Sequence, residues 1–220
     1  MLRSAIERIY ARYLLWQVKH IPRHVAVIQD GNRRFAREQG LNTAVGHKLG
    51  ADTTEQVLDW ACELGVRHIT LYTFSTENFR RDEDELASLF TLFKAKFTAI
   101  MADERVLKNH IRVQMIGDRS LIPDDLLMTI EAAEEATLHY ADYFINVALA
   151  YGGRNEIVHA ARSILCEVKT GLIAPGAIDP GIVESHLNRG APIPPVDLII
   201  RTGNDYRTSN FLPWLANGHE

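Results

Sequence analysis

The sequence predicts a single α/β domain in which a largely parallel central sheet is flanked by helices. Two observations carry that reading. Short β-branched runs recur at Val25 to Ile28, Ile69 to Phe74, Ile111 to Ile116, Phe144 to Leu149 and Val196 to Ile200. Between them lie helix-length segments with apolar periodicity, at Ala44 to Leu64, Asp84 to Leu107, Asp124 to Tyr140 and Glu156 to Lys169. Alternation of buried strands with helices implies a parallel sheet covered on both faces. A chain of 220 residues, 46% of them hydrophobic, is long enough to bury one such core.

From the N-terminus, residues 1–23 read as an amphipathic helix and lead-in, and residues 24–220 as the single domain. Leu2, Ile6, Ile9, Tyr13 and Trp16 recur near helical spacing, while Arg3, Glu7, Arg8 and Arg12 interrupt the apolar run as they would not in a signal peptide. Packing of this stripe onto the domain is expected, with peripheral contact at a membrane surface as the alternative. Pro22 and Asp30-Gly31 flank the first strand. Gly65 follows one helix, Pro123 opens another and Gly171 closes a third. Tyr151-Gly152-Gly153-Arg154 is a strand-to-helix turn of architectural character, and Leu172 to Pro195 is a connection in which Asp179 to Leu187 forms a short helix.

Bulk properties exclude several functions. No run of about 18 apolar residues is present, which argues against an ordinary membrane-spanning helix. A formal charge of −4 argues against a broad nucleic-acid footprint but leaves small diphosphates as ligands. Cys62 and Cys166 lie far apart with no metal-binding or disulfide pattern, which suits a reducing cytosol.

Three strand ends carry chemistry. His24 to Gly40, HVAVIQDGNRRFAREQG, places a buried strand before Asp30, Gly31, Asn32, Arg33 and Arg34 at the start of a helix. Glycine permits close backbone approach, a helix start presents unpaired amides and arginine forms forked bonds to phosphate oxygens. Asp30 would repel a bare diphosphate, so its place among these groups makes sense if it holds a divalent cation that bridges to phosphate. The alternative is an Asp-Gly turn with surface arginines. Phe74 to Arg81, FSTENFRR, follows another buried strand, and parallel strands open on one side, where ligands bind. Glu77 suits a helix cap equally well, and Arg80 a solvated position. Asp197 to Gly203, with Arg207 to Phe211 beyond it, offers Arg201, Arg207 and Ser209 to a second diphosphate; a helix cap also accounts for Ser209. His47, just after Gly46, is either a diphosphate contact or a structural residue.

Together these residues closely resemble the cis-prenyltransferase, or undecaprenyl diphosphate synthase, family over roughly His24 to Glu220. The ordered motifs are HVAVIQDGNRRFA, GHKLGA, LYTFSTENFRR, YGGRNEI and DLIIRTGNDYRTSNFLPW. The resemblance implies the cis-prenyltransferase fold with its hydrophobic substrate tunnel, a homodimer, and Mg2+-dependent condensation of an allylic prenyl diphosphate with isopentenyl diphosphate. No pair of DDxxD motifs, as in the trans enzymes, is present; Asp124-Asp125 fits a helix start. Carried over residue by residue, Asp30 is the essential aspartate and a metal ligand. Gly31, Asn32, Arg33 and Arg34 match the allylic-diphosphate loop, and Phe35 its aromatic position. His47, Ser75, Thr76, Glu77, Phe79 and Arg81 match further substrate contacts, and Asn78 an asparagine that assists proton removal. Arg201, Arg207, Thr208 and Ser209 match the isopentenyl-diphosphate side, and Glu220 the second metal carboxylate. Tyr143, larger than the aliphatic residue often found there, falls at the far end of the tunnel and implies short or medium products.

Four departures bear on these expectations. Thr43 stands where the family usually places another diphosphate-binding arginine, Gln29 replaces a methionine before Asp30, and Ala150 replaces an asparagine before Tyr151. The sequence ends at Glu220, ahead of the family's usual C-terminal tail, so the missing groups are expected either from a longer chain or from a heteromeric partner. Two other functions follow: irregular coupling with dimethylallyl diphosphate as acceptor, or a non-catalytic subunit of a prenyltransferase complex. Retention of Asp30, Asn32, Arg34, Asn78 and Glu220 argues against the last.

Overall fold

The computed structural model describes Tyr10 and residues 13–216. Among these, strands β1 (His24–Ile28), β2 (His68–Ser75), β3 (Ile111–Ile116), β4 (Tyr143–Tyr151) and β5 (Leu198–Arg201) form one sheet in the order β3-β4-β2-β1-β5. Every pairing is parallel. The helices are α1 (Asn32–Glu38), α2 (Thr43–Leu64), α3 (Glu83–Ile100), α4 (Glu104–Lys108), α5 (Asp124–Thr137), α6 (Gly153–Lys169) and α7 (Pro180–His186). Burial explains the lack of polar alternation in β1, whose five residues are all buried.

Alternate residues of the strands serve two cores. On one face Val25, Val27, Ile69 and Leu71 pack against Ala61 and Leu58 of α2, while β3 and β4 pack against α3 and α5. On the other, Ala26, Ile28, Tyr72 and Ala148 meet Phe211, Leu212 and Leu215. A polar chain also crosses the sheet: His24 Nε2 lies 2.7 Å from Thr70 Oγ1, which accepts from Asn146 at 2.9 Å, and Gln114 donates to Asn146 at 2.6 Å. Burial of these groups is tolerated because each finds a partner.

The structure corrects two expected boundaries and one packing expectation. The segment Asp84 to Leu107 is two helices, because the Asp103 side chain accepts from the Arg105 amide at 2.8 Å and starts α4 afresh. The last strand begins at Leu198 instead of Val196, since the Val196 amide donates to Leu215 O at 2.9 Å. Tyr13 and Trp16 of the N-terminal stripe are exposed, Trp16 at 82%, so this part does not pack onto the domain; Leu2, Ile6 and Ile9 lie outside the described residues. Helix punctuation follows the sequence: Gly65 takes a left-handed φ of 80° after α2, and Pro123 precedes α5.

Candidate active site

Three strand ends converge because β1 sits between β2 and β5. The loop after β1 and the loop after β5 touch through glycines. Gly31 (φ 99°) would place a Cβ 3.1 Å from Gly203 Cα, and Gly203 (φ 82°) would place one 3.0 Å from the Asp30 carbonyl. Left-handed backbone and this close approach both require residues without a Cβ. A second close approach fixes α1: a Cβ on Gly46 would lie 2.6 Å from Asn32 O, and one on Gly50 would run into the Asn32 side chain. Asn32 is thereby pinned between α1 and α2.

Around the glycine contact, Arg201 donates to Asp30 Oδ2 at 2.6 Å and to Ser209 Oγ at 2.7 Å, and reaches Asp205 at 3.3 Å. Only 10% exposed, Arg201 knits the 202–209 loop to β1. Partial burial pulls the Asp30 carboxyl upward, yet Arg201 and the Gly31 amide, which donates at 2.7 Å, leave it below the usual carboxylate range. Arg34 donates to Gly203 O at 2.6 Å, which ties the same two loops together again.

A second cluster forms where α2, the β2 loop and α3 meet. Glu85 accepts from Arg81 at 2.7 Å, faces His47 Nε2 at 3.0 Å and lies 3.6 Å from Arg33. Burial lowers the His47 pKa, and the Arg81 and Arg33 charges reinforce that against Glu85. Burial works to raise the Glu85 pKa, but His47, Arg81 and Arg33 hold it below its ordinary value. His47 is therefore a neutral imidazole among cations at neutral pH.

Asp30 and Arg34 of the first cluster and Arg33, His47 and Arg81 of the second border a cavity of about 570 Å3. Asp30, Arg33, Arg34, His47 and Arg81 line its mouth, and Leu58, Leu71, Phe93, Val113 and Val147 line its interior. It continues toward the strand N-termini as far as Tyr143. At about 3.3 Å per strand residue the depth along β2 is roughly 17 Å. A site with anion-binding cations at one end of a narrow apolar sleeve suits a ligand with a diphosphate head and a hydrocarbon tail.

A family model described as undecaprenyl diphosphate synthase matches residues 28–220. The chain belongs to the undecaprenyl diphosphate synthase family. It is a prenyltransferase, condensing an allylic prenyl diphosphate with isopentenyl diphosphate in cis. Among its relatives is a tritrans,polycis-undecaprenyl-diphosphate synthase (geranylgeranyl-diphosphate specific) of Methanosarcina mazei, 47% identical over 221 residues, covering 99% of this chain and 74% of that one. The protein of that name from Archaeoglobus fulgidus is 46% identical over 211 residues, covering 95% and 84%. A solved lavandulyl diphosphate synthase from Lavandula x intermedia, in complex with dimethylallyl diphosphate, superposes with a TM-score of 0.82 at 33% identity, covering 86% of this chain and 81% of that chain.

Within this synthase fold the residues singled out from sequence are not all equivalent. Asp30, Gly31, Asn32, Arg33, Arg34, His47 and Arg81 line the cavity. Ser75 and Asn78 form a reciprocal cap in which the Ser75 amide donates to Asn78 Oδ1 at 3.1 Å. That bond holds the asparagine's carboxamide by its oxygen. Thr76 abuts Gly152, and Glu77 lies beside Asn78 and Arg81 in a small polar recess. Phe79 instead packs edge-on against Phe74, with centroids 4.9 Å apart, as part of the core. Phe35 is exposed on α1 and does not line the cavity. Arg207 is 70% exposed, with Asp205 3.2 Å away, and Thr208 is exposed beside it. Glu220 lies outside the described residues.

The departures also have places. Gln29 donates to Thr54 of α2 at 2.6 Å just inside the mouth. Ala150 adopts φ 48°, a left-handed conformation that asparagine tolerates better than alanine. The turn at Gly152-Gly153 is architectural, as expected: the Gly153 amide donates to Asn210 O at 2.9 Å and the Arg154 amide to Asn210 Oδ1. Sequence reasoning missed Glu85 and Asp205, both of which hold arginines in the site.

Members of this family work with a divalent metal. Among the described residues no group of three His, Cys, Asp or Glu side chains is gathered to hold one. Asp30 alone still fits: its carboxylate is 32% exposed at the cationic mouth, and Mg2+ commonly takes one or two carboxylates and completes its shell with water and substrate phosphate oxygens.

Proposed function

We propose that the allylic donor is geranylgeranyl diphosphate, that Mg2+ is the metal held by Asp30, and that the enzyme acts as a cytoplasmic homodimer. The observation that carries the site assignment is the contact of the Asp30-Gly31 loop with the Thr202-Gly203 loop at the cavity mouth. This contact supports a donor site after β1 lying beside an acceptor site after β5, as a condensation requires. The donor is favoured by the archaeal relatives, which are named geranylgeranyl-diphosphate specific. Dimerisation is supported by exposed Leu198 and Ile200 on edge strand β5 and by Val158 and Leu165 on α6. Glu220 remains the proposed second carboxylate.

In this reading Arg33, Arg34, His47 and Arg81 grip the donor diphosphate, with Gly31 and Asn32 shaping the loop around it. Arg207, Thr208 and Ser209 receive isopentenyl diphosphate, while Arg201, whose two terminal nitrogens are bonded within the site and whose buried Nε has no partner, positions Asp30 and Ser209. The metal supplies positive charge that neutralises the departing diphosphate. The apolar sleeve excludes water from the allylic carbon as positive charge develops there, so the isopentenyl double bond attacks in its place. Asn78, with its oxygen held by Ser75, donates its NH2 to a diphosphate oxygen, and the proton lost in restoring the alkene passes to diphosphate or water.

The test is incubation of the purified protein with labelled isopentenyl diphosphate, Mg2+ and a panel of allylic primers, alongside Asp30→Ala. A cis-elongated ladder from geranylgeranyl diphosphate is expected, with turnover of Asp30→Ala lower by at least about 50-fold, or ~2.3 kcal/mol, and its circular dichroism unchanged. Near-normal turnover of the folded variant would remove Asp30 from the mechanism. A second reading, coupling onto dimethylallyl diphosphate, is motivated by the lavandulyl diphosphate synthase likeness; branched products from dimethylallyl diphosphate alone would establish it.

A further inference from the structure

The sleeve is apolar except along one side. Its α2 wall presents Ala51, Thr54, Glu55, Leu58 and Cys62, and its α3 wall presents Leu89, Phe93, Lys96, Phe97 and Ile100. Each set recurs at helical spacing, and charge enters a stripe that otherwise suits hydrocarbon, as Glu55 with Asp59 on α2 and as Lys96 on α3. Those charges meet. Lys96 Nζ lies 2.7 Å from Glu55 and 3.3 Å from Asp52 of α2. One helical step along, Arg105 of α4 lies 3.2 Å from Glu55 and 3.2 Å from Asp59, and is held from behind by Asp103 at 2.6 Å. The lateral join between α2 and the α3–α4 pair is thus a ladder of partly exposed ion pairs where an enclosed sleeve would be closed by aliphatic packing.

We propose that this ladder is the exit seam of the sleeve, and that its strength sets how far the chain grows before release. Solvated ion pairs contribute little and exchange readily for water, so the rungs part more easily than interdigitated leucines would. While closed, they present charge to hydrocarbon and resist a tail pressing against them. Each added isoprene unit must find more apolar surface, and once the sleeve is full the seam is the side that can yield. Glu55 and Lys96 therefore act on product length and release, away from the atoms that react.

The inference rests on the prenyl-transfer reading, and the test separates the two. Glu55→Cys and Lys96→Cys are introduced together in a chain whose Cys62 and Cys166 are replaced by alanine, then joined with a short bismaleimide; monofunctional maleimide gives the open reference. The bridged protein should carry out the first condensation within about twofold of the reference, yet release product at least about tenfold more slowly and stall at shorter lengths, as expected where exit limits turnover. Full-length product leaving both proteins at the same rate would overturn the seam, whereas absence of any first condensation in the wild type would overturn the enzymatic reading and the seam with it. An independent arm uses Lys96→Glu, which sets like charges against Glu55 and Asp52 and should lengthen products; Lys96→Arg, which keeps both ion pairs, should retain the original ladder. Identical ladders for all three proteins would also overturn the seam.

Discussion

At the scale of single residues, the site depends on two backbones meeting where no side chain fits. Gly203→Ala places a Cβ against the Asp30 carbonyl at left-handed φ, and should lower stability by about 1–2 kcal/mol while moving Asp30. Urea unfolding measures the first and turnover the second; wild-type values of both would show the contact to be dispensable. Glu85→Gln removes the charge that anchors Arg81 and His47. Donor KM should then rise about 3–10-fold, roughly 1 kcal/mol, with kcat changing less. Donor titration checks this, and an unaltered KM would free Glu85 of any role. That Asp30 and Arg34 would meet at a cavity mouth was legible because a strand end running into an Asp-Gly turn and a helix start puts them there. Glu85 was not: a glutamate in the first turn of a helix reads as a dipole partner, and only the crossing of α2 over α3 brings it to His47. The packing of Phe79 against Phe74 was not legible either, since an aromatic in such a motif reads alike whether it faces a ligand or packs beneath the loop.

At the scale of elements, β1 and β2 begin with buried histidines. Burial lowers the His68 pKa to about 4, helped by His24, Arg23 and Arg67, and burial lowers that of His24 too. A histidine kept neutral in the fold takes up its proton first in the unfolded chain. Its stabilising contribution is therefore full above pH 6.5 and is lost as pH falls from there toward 4. For His68 alone the loss is about 3 kcal/mol across that window, about 2 of it between pH 7 and 5. Urea midpoints at the two pH values test this, and His68→Gln should flatten the difference; a midpoint that does not move with pH would mean that neither histidine stays neutral. The strands themselves were legible to within a few residues, since continuous β-branched runs have few other uses. The break between α3 and α4 was not, because Phe97, Ile100 and Val106 keep apolar character on both sides of it, and it takes the Asp103 cap to end one helix and start the next.

At the scale of the whole molecule, Tyr143 lines the far end of the sleeve together with Cys62 and Ile111. Tyr143→Ala should open that floor and shift the product ladder to longer chains at equal substrate ratios; an unchanged maximum length would place the stop elsewhere. The sleeve itself had no signature in the sequence apart from family resemblance, because stripes such as Leu89, Phe93 and Phe97 look alike whether they pack against a neighbour or border an empty volume. The strand order carries one more consequence. The residues proposed to bind diphosphates follow β5, β1 and β2, while β3 and β4 contribute only to the apolar interior of the sleeve. Divergence among descendants of such a protein can therefore run at two speeds: substitutions along β3 and β4 reach the sleeve alone and can alter what is made, while substitutions at the loops after β1 and β5 reach the mouth and put the reaction itself at risk.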